Sequence, residues 1–258
     1  MAGSARAKPK APVVPEGEER LHVRIAHAGL CSRRQAEKMI AEGRVEVNGA
    51  IVVEMGRKIG PEDEVRVDSM VITAAKLYTL VLNKPTGCVT TLFDPQRRPT
   101  IVKYLPDVGV QLKPVGRLDM DTEGLLIVTN DGELAQRLGH PRYEVEKEYR
   151  AIIRGIPEEK SLAKLRNGIY IEGGKTHPAK VEIIHAEPTT NTTGLTIVLH
   201  EGRKRQIRLM CEAIGHPVIS LKRLRVGPLT VKGMRAGECR MLSKVEVASL
   251  RKLVELPV

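Results

Sequence analysis

Between residues 20 and 68 the spacing of apolar side chains changes from helical to alternating. Leu21, Ile25 and Ala28 recur at helical intervals, and Gly29 follows as a C-terminal stop, which predicts a first short helix. Ser32-Arg33-Arg34-Gln35 then opens a second helix as a capping box, with Gln35 placed to reach back to the Ser32 amide. Ala36, Met39 and Ile40 continue its apolar stripe and Gly43 closes it. In the VEV-NG-AIV stretch that follows, Asn48-Gly49 between alternating apolar residues predicts a tight hairpin. Residues 1–18, rich in Ala, Pro and Lys and without periodicity, are expected to be a flexible tail, and residues 69–76 a short linker.

From Leu77 onward, strand-like runs are YTLVLNKP, GLLIVTN, EVEKEYRAIIRG, AKVEIIHAE and GLTIVLHEG. Helical runs are ELAQRLG, EEKSLAKLRNG, RQIRLMCEAIG and SKVEVASLRKLVE, the last capped by Ser243. Helices interrupt the strands irregularly, with no repeating strand–helix–strand period. This predicts an α+β domain over residues 77–258 with a mainly antiparallel mixed β-sheet, preceded by a helix-helix-hairpin domain over residues 19–68. The tripeptide Gly-His-Pro occurs at 139–141 and 215–217, each time as a helix stop.

Composition narrows the setting. The 258 residues are long enough for two domains or one large one, and 41% hydrophobic with 28% charged argues against a disordered chain. No window holds eighteen uninterrupted apolar residues, and the first twenty residues contain no apolar stretch of signal-peptide length, so secretion and membrane spanning are disfavoured. Cysteines 31, 88, 211 and 239 form no CxxC pair, which argues against a zinc site and leaves no disulfide framework. A reducing cytoplasm is the expected location.

The net charge of +11 is unevenly spread: residues 197–258 hold thirteen basic side chains against five acidic ones. A concentrated basic surface points to a polyanion, nucleic acid before membrane. Only six aromatic residues are present, so a stacking platform for single strands, which needs several on one sheet, is not expected. Residues 20–44 carry six basic and two acidic groups, and Arg24, Arg33, Arg34 and Lys38 are expected on one cationic face.

The chemistry-bearing stretch is VGRLDMDTEGLLIVTNDG, residues 115–132, with Asp119, Asp121 and Glu123 beside Arg117. A calcium loop is ruled out because its twelfth position is Asn130, where a bidentate Glu is needed, and positions seven to ten are Leu-Leu-Ile-Val. Two readings stay open on the residues alone: acids of a structural turn, or a catalytic carboxylate at a strand end with arginines to hold it ionised. Arg117 is a candidate RNA contact, against an ion pair with Asp121 or Glu123. The Arg203-Lys204-Arg205 run is expected to contact phosphates, whereas Lys84-Pro85 is read as a structural turn whose lysine meets backbone or acids.

RLHVRIAHAGLCSRRQAEKMIAEGRVEVNG resembles the S4-type RNA-binding domain over residues 19–68. GRLDxxTxGLLxxTNDG resembles the signature of ribosomal RNA pseudouridine synthases, and LNKPTGCVTT, RRPTIVKYLP, LGHPRYEVEKEYRAII and EGRKRQIRLM agree with that family in order. One departure is Leu209, where the large-subunit branch commonly carries a second arginine. The resemblance implies a catalytic aspartate at Asp119, an active-site tyrosine at Tyr149 that stacks on the target base, and a carboxylate-pairing arginine at Arg208. It implies isomerisation of uridine in structured ribosomal RNA, the large-subunit RNA being favoured, by a monomer. The alternatives are a small-subunit or transfer-RNA enzyme and a non-catalytic ribosome-assembly factor, the last disfavoured because Asp119, Tyr149 and Arg208 occur together. No cofactor is expected: exchanging an N-glycosidic for a C-glycosidic bond needs neither redox change nor energy input, and the sequence carries no phosphate loop or dinucleotide fingerprint.

Overall fold

The structure, a computed structural model, describes residues 17–257. The tail expected over residues 1–18 lies outside the described residues except for Gly17 and Glu18. The chain divides into two compact units, the first reaching to Leu77 and including Val108–Gln111, the second comprising Tyr78–Asp107 and Leu112 onward.

The first unit follows the predicted order. After β1 (Glu19–Arg20) come α1 (Leu21–His27) and α2 (Arg33–Ala41), then β2 (Val45–Val47), β3 (Ala50–Ile51), β4 (Lys58–Ile59), β5 (Val65–Val67) and β6 (Met70–Val71). Half of the expected capping box forms, the Gln35 amide donating to Ser32 Oγ at 3.2 Å. Asn48 and Gly49 both take positive φ, +51° and +81°, as a type I′ hairpin turn requires. Leu21, Ile25, Ala36, Met39 and Ile40 pack on Val45, Val47, Ile59, Val65 and Val67 as a closed apolar core. The segment expected to be linker begins with β6, which pairs with β5 through a second tight turn at Asp68-Ser69, φ +49° and +63°. That turn lacks the glycine that announces Asn48-Gly49.

In the second unit the elements are β7 (Thr79–Lys84), β8 (Lys113–Pro114), β9 (Thr122–Thr129), α3 (Gly132–Gly139), β10 (Lys147–Arg154), α4 (Glu159–Arg166), β11 (Tyr170–Ile171), β12 (Gly174–Lys175), β13 (Lys180–Glu187), β14 (Thr192–Leu199), α5 (Gln206–Ala213), β15 (Val218–Val226), β16 (Leu229–Thr230), β17 (Cys239–Met241) and α6 (Lys244–Leu253). The main sheet runs β13-β14-β10-β15-β9-β7-β17, with β16 on β15 and β8 on β9. Every named pair in it is antiparallel except β9 with β15. The expected α+β class with a mainly antiparallel mixed sheet is therefore what forms.

Two apolar clusters flank the central pair β9–β15. One gathers β10, β13 and β14 residues around Ile207, Met210 and Cys211 of α5 and Leu162 and Leu165 of α4. The other gathers Val81, Leu125 and Ile127 with Leu134 and Leu138 of α3 and Leu250 of α6. At the β9–β15 junction a Cβ on Gly124, φ +112°, would lie 2.1 Å from the Arg223 carbonyl oxygen. Only glycine lets the two backbones meet there.

Candidate active site

Asp119 lies in the loop that enters β9, and that loop is fastened carbonyl by carbonyl. Thr90 Oγ1 donates to Leu118 O at 2.6 Å, and the Gly87 amide donates to Met120 O at 2.8 Å. Lys84 Nζ donates to Asp119 O (3.0 Å), Thr122 O (2.9 Å) and Pro85 O (2.9 Å). Arg208 Nη2 donates to Asp121 O at 3.0 Å. All five carbonyls from Leu118 to Thr122 are held by side chains or backbone from elsewhere. Lys84 is fully buried at the end of β7, and burial pushes its ammonium below the usual lysine range, with Cys88, Asp121 and Asp119 opposing that shift. The structural reading of Lys84 corresponds to this geometry: its partners are backbone.

The carboxylates on this loop are treated differently. Asp121 pairs with Arg208 Nη2 at 3.1 Å and Arg205 Nη1 at 3.7 Å, whereas Asp119 has only the longer contact to Arg205 Nη1, 3.9 Å. The Asp119 side chain is 40% exposed and opens into a cleft of about 680 Å³. Thr86, Thr91, Phe93, Arg98, Arg117, Lys204 and Arg205 share the lining. An anionic oxygen facing a cleft with four basic side chains on its walls is suited to a polyanionic substrate with an electrophilic carbon.

Several expected residues fall into place differently. The arginine against Asp119 is Arg205; Arg208 bridges Asp121 and the Thr122 hydroxyl (3.4 Å) and leaves its buried Nε without a partner. The reason is local: Arg205, the residue before α5, is left-handed at φ +53°, which turns its side chain toward the β9 loop. Arg203 is not free for phosphate. Its guanidinium donates to Glu201 (3.0 Å) and to the carbonyls of Gly173 (3.3 Å), Gly174 (3.1 Å) and Lys175 (2.7 Å), bracing the β11–β12 hairpin. Arg24, expected on the cationic face of the first unit, is half-buried, ion-paired with Glu19, and donates to Gly60 O at 3.1 Å. The β1–β4 pairing draws Glu19 beneath the helix and so captures it. Arg33, Arg34 and Lys38 are exposed, Lys38 lying 3.6 Å from Glu42. Arg117 is exposed at the cleft wall and, among the described residues, has no ion-pair partner, since Asp121 is taken by Arg205 and Arg208 and Glu123 by Lys222 at 2.9 Å.

Tyr149 sits half-buried in the middle of β10, packed on the α5 cluster and not on the wall of the cleft. Its register partners are Ile197 and Arg223, and Arg223 is in turn opposite Gly124. Two strand spacings, about 10 Å, thus separate the backbone of Tyr149 from the start of β9.

Residues 78–213 match the family described as RNA pseudouridylate synthase, and residues 19–65 match the S4 domain. The chain belongs to the RNA pseudouridylate synthase family. Membership makes it an isomerase acting on RNA, and the Asp119 loop lies within the matched residues. It is 42% identical to "Ribosomal large subunit pseudouridine synthase B" of Bacillus subtilis over 92% of this chain and 97% of the relative. It is also 42% identical to an "Uncharacterized RNA pseudouridine synthase" of Aquifex aeolicus, over 93% and 96%. A solved structure titled "Crystal structure of pseudouridylate synthase" superposes with a TM-score of 0.63 at 33% identity, covering 90% of this chain and 99% of that one. Among the described residues no helix is long and apolar enough to cross a membrane.

Proposed function

We propose that this pseudouridine synthase isomerises uridine in the RNA of the large ribosomal subunit, as a cytoplasmic monomer without a cofactor, with Asp119 as its nucleophilic carboxylate. The observation that carries the reading is the contrast within one loop: five consecutive carbonyls are pinned, while the Asp119 carboxylate stays open to a basic cleft. Such a group is positioned without being neutralised. Relatives named for the large ribosomal subunit, in Bacillus subtilis and Pseudomonas aeruginosa, support the choice of RNA.

In the reaction the N1–C1′ bond breaks, a C5–C1′ bond forms, C5 loses its proton and N1 gains one. A carboxylate can form a covalent adduct and leave again during this exchange. Asp121, doubly paired, serves as the strut through which Arg208 positions the loop. Arg205, Lys204 and Arg117 supply positive charge to the RNA backbone, with Arg117 also placed to fill the gap an extruded base leaves. Tyr149, half-buried and off the cleft wall, is assigned to the face of the target base on the family resemblance alone, and the exposed Arg33, Arg34 and Lys38 of the S4 domain to phosphates away from the reaction. Extruding the base costs a few kcal/mol, which these remote contacts offset.

Two isosteric variants test the assignment. Asp119→Asn should abolish pseudouridine formation in large-subunit rRNA transcripts while RNA affinity changes little. Asp121→Asn should retain measurable turnover, because it loses an ion pair but not the nucleophile. Near wild-type single-turnover rates in Asp119→Asn protein would refute the mechanism.

A further inference from the structure

The cleft that holds Asp119 carries two large apolar side chains left exposed, Met120 at 47% and, far more open, an aromatic ring. Phe93, the only phenylalanine in the chain, is 77% exposed and stands on the cleft wall. It is not a frayed loop residue. Thr91 Oγ1 donates to Phe93 O at 2.7 Å, and the Phe93 amide donates to Thr91 Oγ1 at 3.3 Å. On its other side Asp94 is nearly buried and accepts three bonds from Arg98: Nη2 at 2.7 Å, Nε at 3.0 Å and the backbone amide at 2.9 Å. These contacts hold the Asp94 carboxyl below the usual carboxylate range. The turn is thus fixed on both flanks while its aromatic ring projects into solvent. An exposed ring on a braced turn has already met most of the ordering cost of binding, and it loses little freedom when a flat partner covers it. The walls around it are polar and basic, through Thr86, Thr91, Arg98 and Arg117. An apolar face ringed by cations matches a nucleobase next to its phosphates better than it matches an apolar protein surface.

We infer that Phe93 stacks on an unpaired base flanking the target uridine, so that one aromatic face beside the Asp119 cleft holds the RNA strand open while the uridine is extruded. The inference rests on the RNA-modifying reading of this cleft. It requires a single stacking residue and not a platform of several, which the six aromatic residues could not build. Because a flanking base stays stacked in both the bound and the reacting complex, the contact acts on binding more than on the chemical step.

The chain contains no tryptophan, so Phe93→Trp places a single indole at the position in question. In otherwise wild-type protein, indole emission should be quenched on titration with in vitro transcribed large-subunit rRNA, with the same midpoint as RNA binding measured by filter retention. A control indole from Val245→Trp, on α6 and 75% exposed, should be unaffected. Phe93→Ala should weaken RNA binding and raise KM roughly 5- to 150-fold, the span expected for one lost base–aromatic stack, with single-turnover rate at saturation kept within a few-fold. Phe93→Tyr should restore affinity. An unquenched indole at saturating RNA, or unchanged affinity in Phe93→Ala, overturns the inference and leaves a protein partner as the occupant to seek. Turnover by the wild-type enzyme on the same transcript checks the functional reading separately, since quenching and affinity are read without turnover.

Discussion

At the scale of single residues, Lys84 shows how a buried group can shape a loop from beneath. Its ammonium replaces water for three carbonyls, two of them in the loop that presents Asp119. Lys84→Met keeps the volume of the side chain and removes every donor. The Asp119 carbonyl keeps the Thr122 amide and the Pro85 carbonyl keeps the Cys88 thiol, so the main loss is at the Thr122 carbonyl. A buried acceptor left unpaired costs about 1–3 kcal/mol, and destabilisation of that order is expected in denaturant unfolding, together with a fall in kcat as the Asp119 loop loosens. A variant with wild-type stability and rate would show that other donors suffice. The motif that carries Asp119 is contiguous and could be read directly, but the arginine nearest Asp119 is Arg205 and not the expected Arg208. Arg205 and Arg208 lie three residues apart, and which of them turns toward Asp119 depends on the left-handed backbone at Arg205, a feature no residue spacing records. The capture of Arg203 by carbonyls 173–175 and of Arg24 by Glu19 was equally invisible, since both partners arrive through tertiary approach of short strands.

At the scale of elements, the runs with clear periodicity became helices and strands, and the central strand β15 went unrecognised. Its sequence, VISLKRLRV, places Arg223 at a buried position where an apolar residue would be expected. The reason is specific: Arg223 Nε donates to Leu125 O at 2.7 Å, satisfying a carbonyl of β9 beside the Gly124 contact. The edge of the sheet is secured otherwise. Arg240 of β17 makes a two-pronged pair with Glu246 of α6, at 2.7 and 3.0 Å, and Glu246 also accepts from the Ser243 amide at 2.8 Å while Ser243 caps the Glu246 amide. The Arg240 guanidinium, aided by the Ser243 cap, lowers Glu246 from the usual 4.5 to about 2. A depressed carboxylate stabilises the fold above its unfolded pKa and loses that contribution as pH falls through the folded one. The stability gap between wild type and Glu246→Gln should therefore be constant above pH about 4.5 and close between there and about 2. Denaturant midpoints measured across that range would refute the pairing if the gap did not narrow with acid.

At the scale of the whole molecule, the two matched domains invite a test of what each contributes to RNA binding and to turnover. The second unit begins at Tyr78, next to the expected start at residue 77, while the segment expected as linker, residues 69–76, is part of the first unit, and residues 108–111 return to that unit, where Val110 lies beside Gly29. Excising the front of the chain would consequently strip partners from Val110, so surface substitution is the cleaner test of what the S4 domain does. Arg33, Arg34 and Lys38 are exposed on α2 and contribute nothing to the first unit's apolar core. Groups of this kind neutralise phosphates but take no part in breaking a glycosidic bond. Replacing all three with alanine in the full chain should weaken binding to large-subunit rRNA fragments and flatten the plot of log affinity against log salt. Each lost phosphate contact lowers the slope by about 0.7–0.9, so a reduction of roughly 2 to 3 is expected if all three are engaged. Single-turnover rate at saturating enzyme should stay near wild type. Arg24→Ala supplies the internal control: tied to Glu19 and Gly60, it should lower the unfolding midpoint while leaving the salt slope unchanged. A triple variant with an unaltered slope would mean that α2 does not lie on the RNA, and a changed slope in Arg24→Ala would mean that its ion pair opens to reach a phosphate.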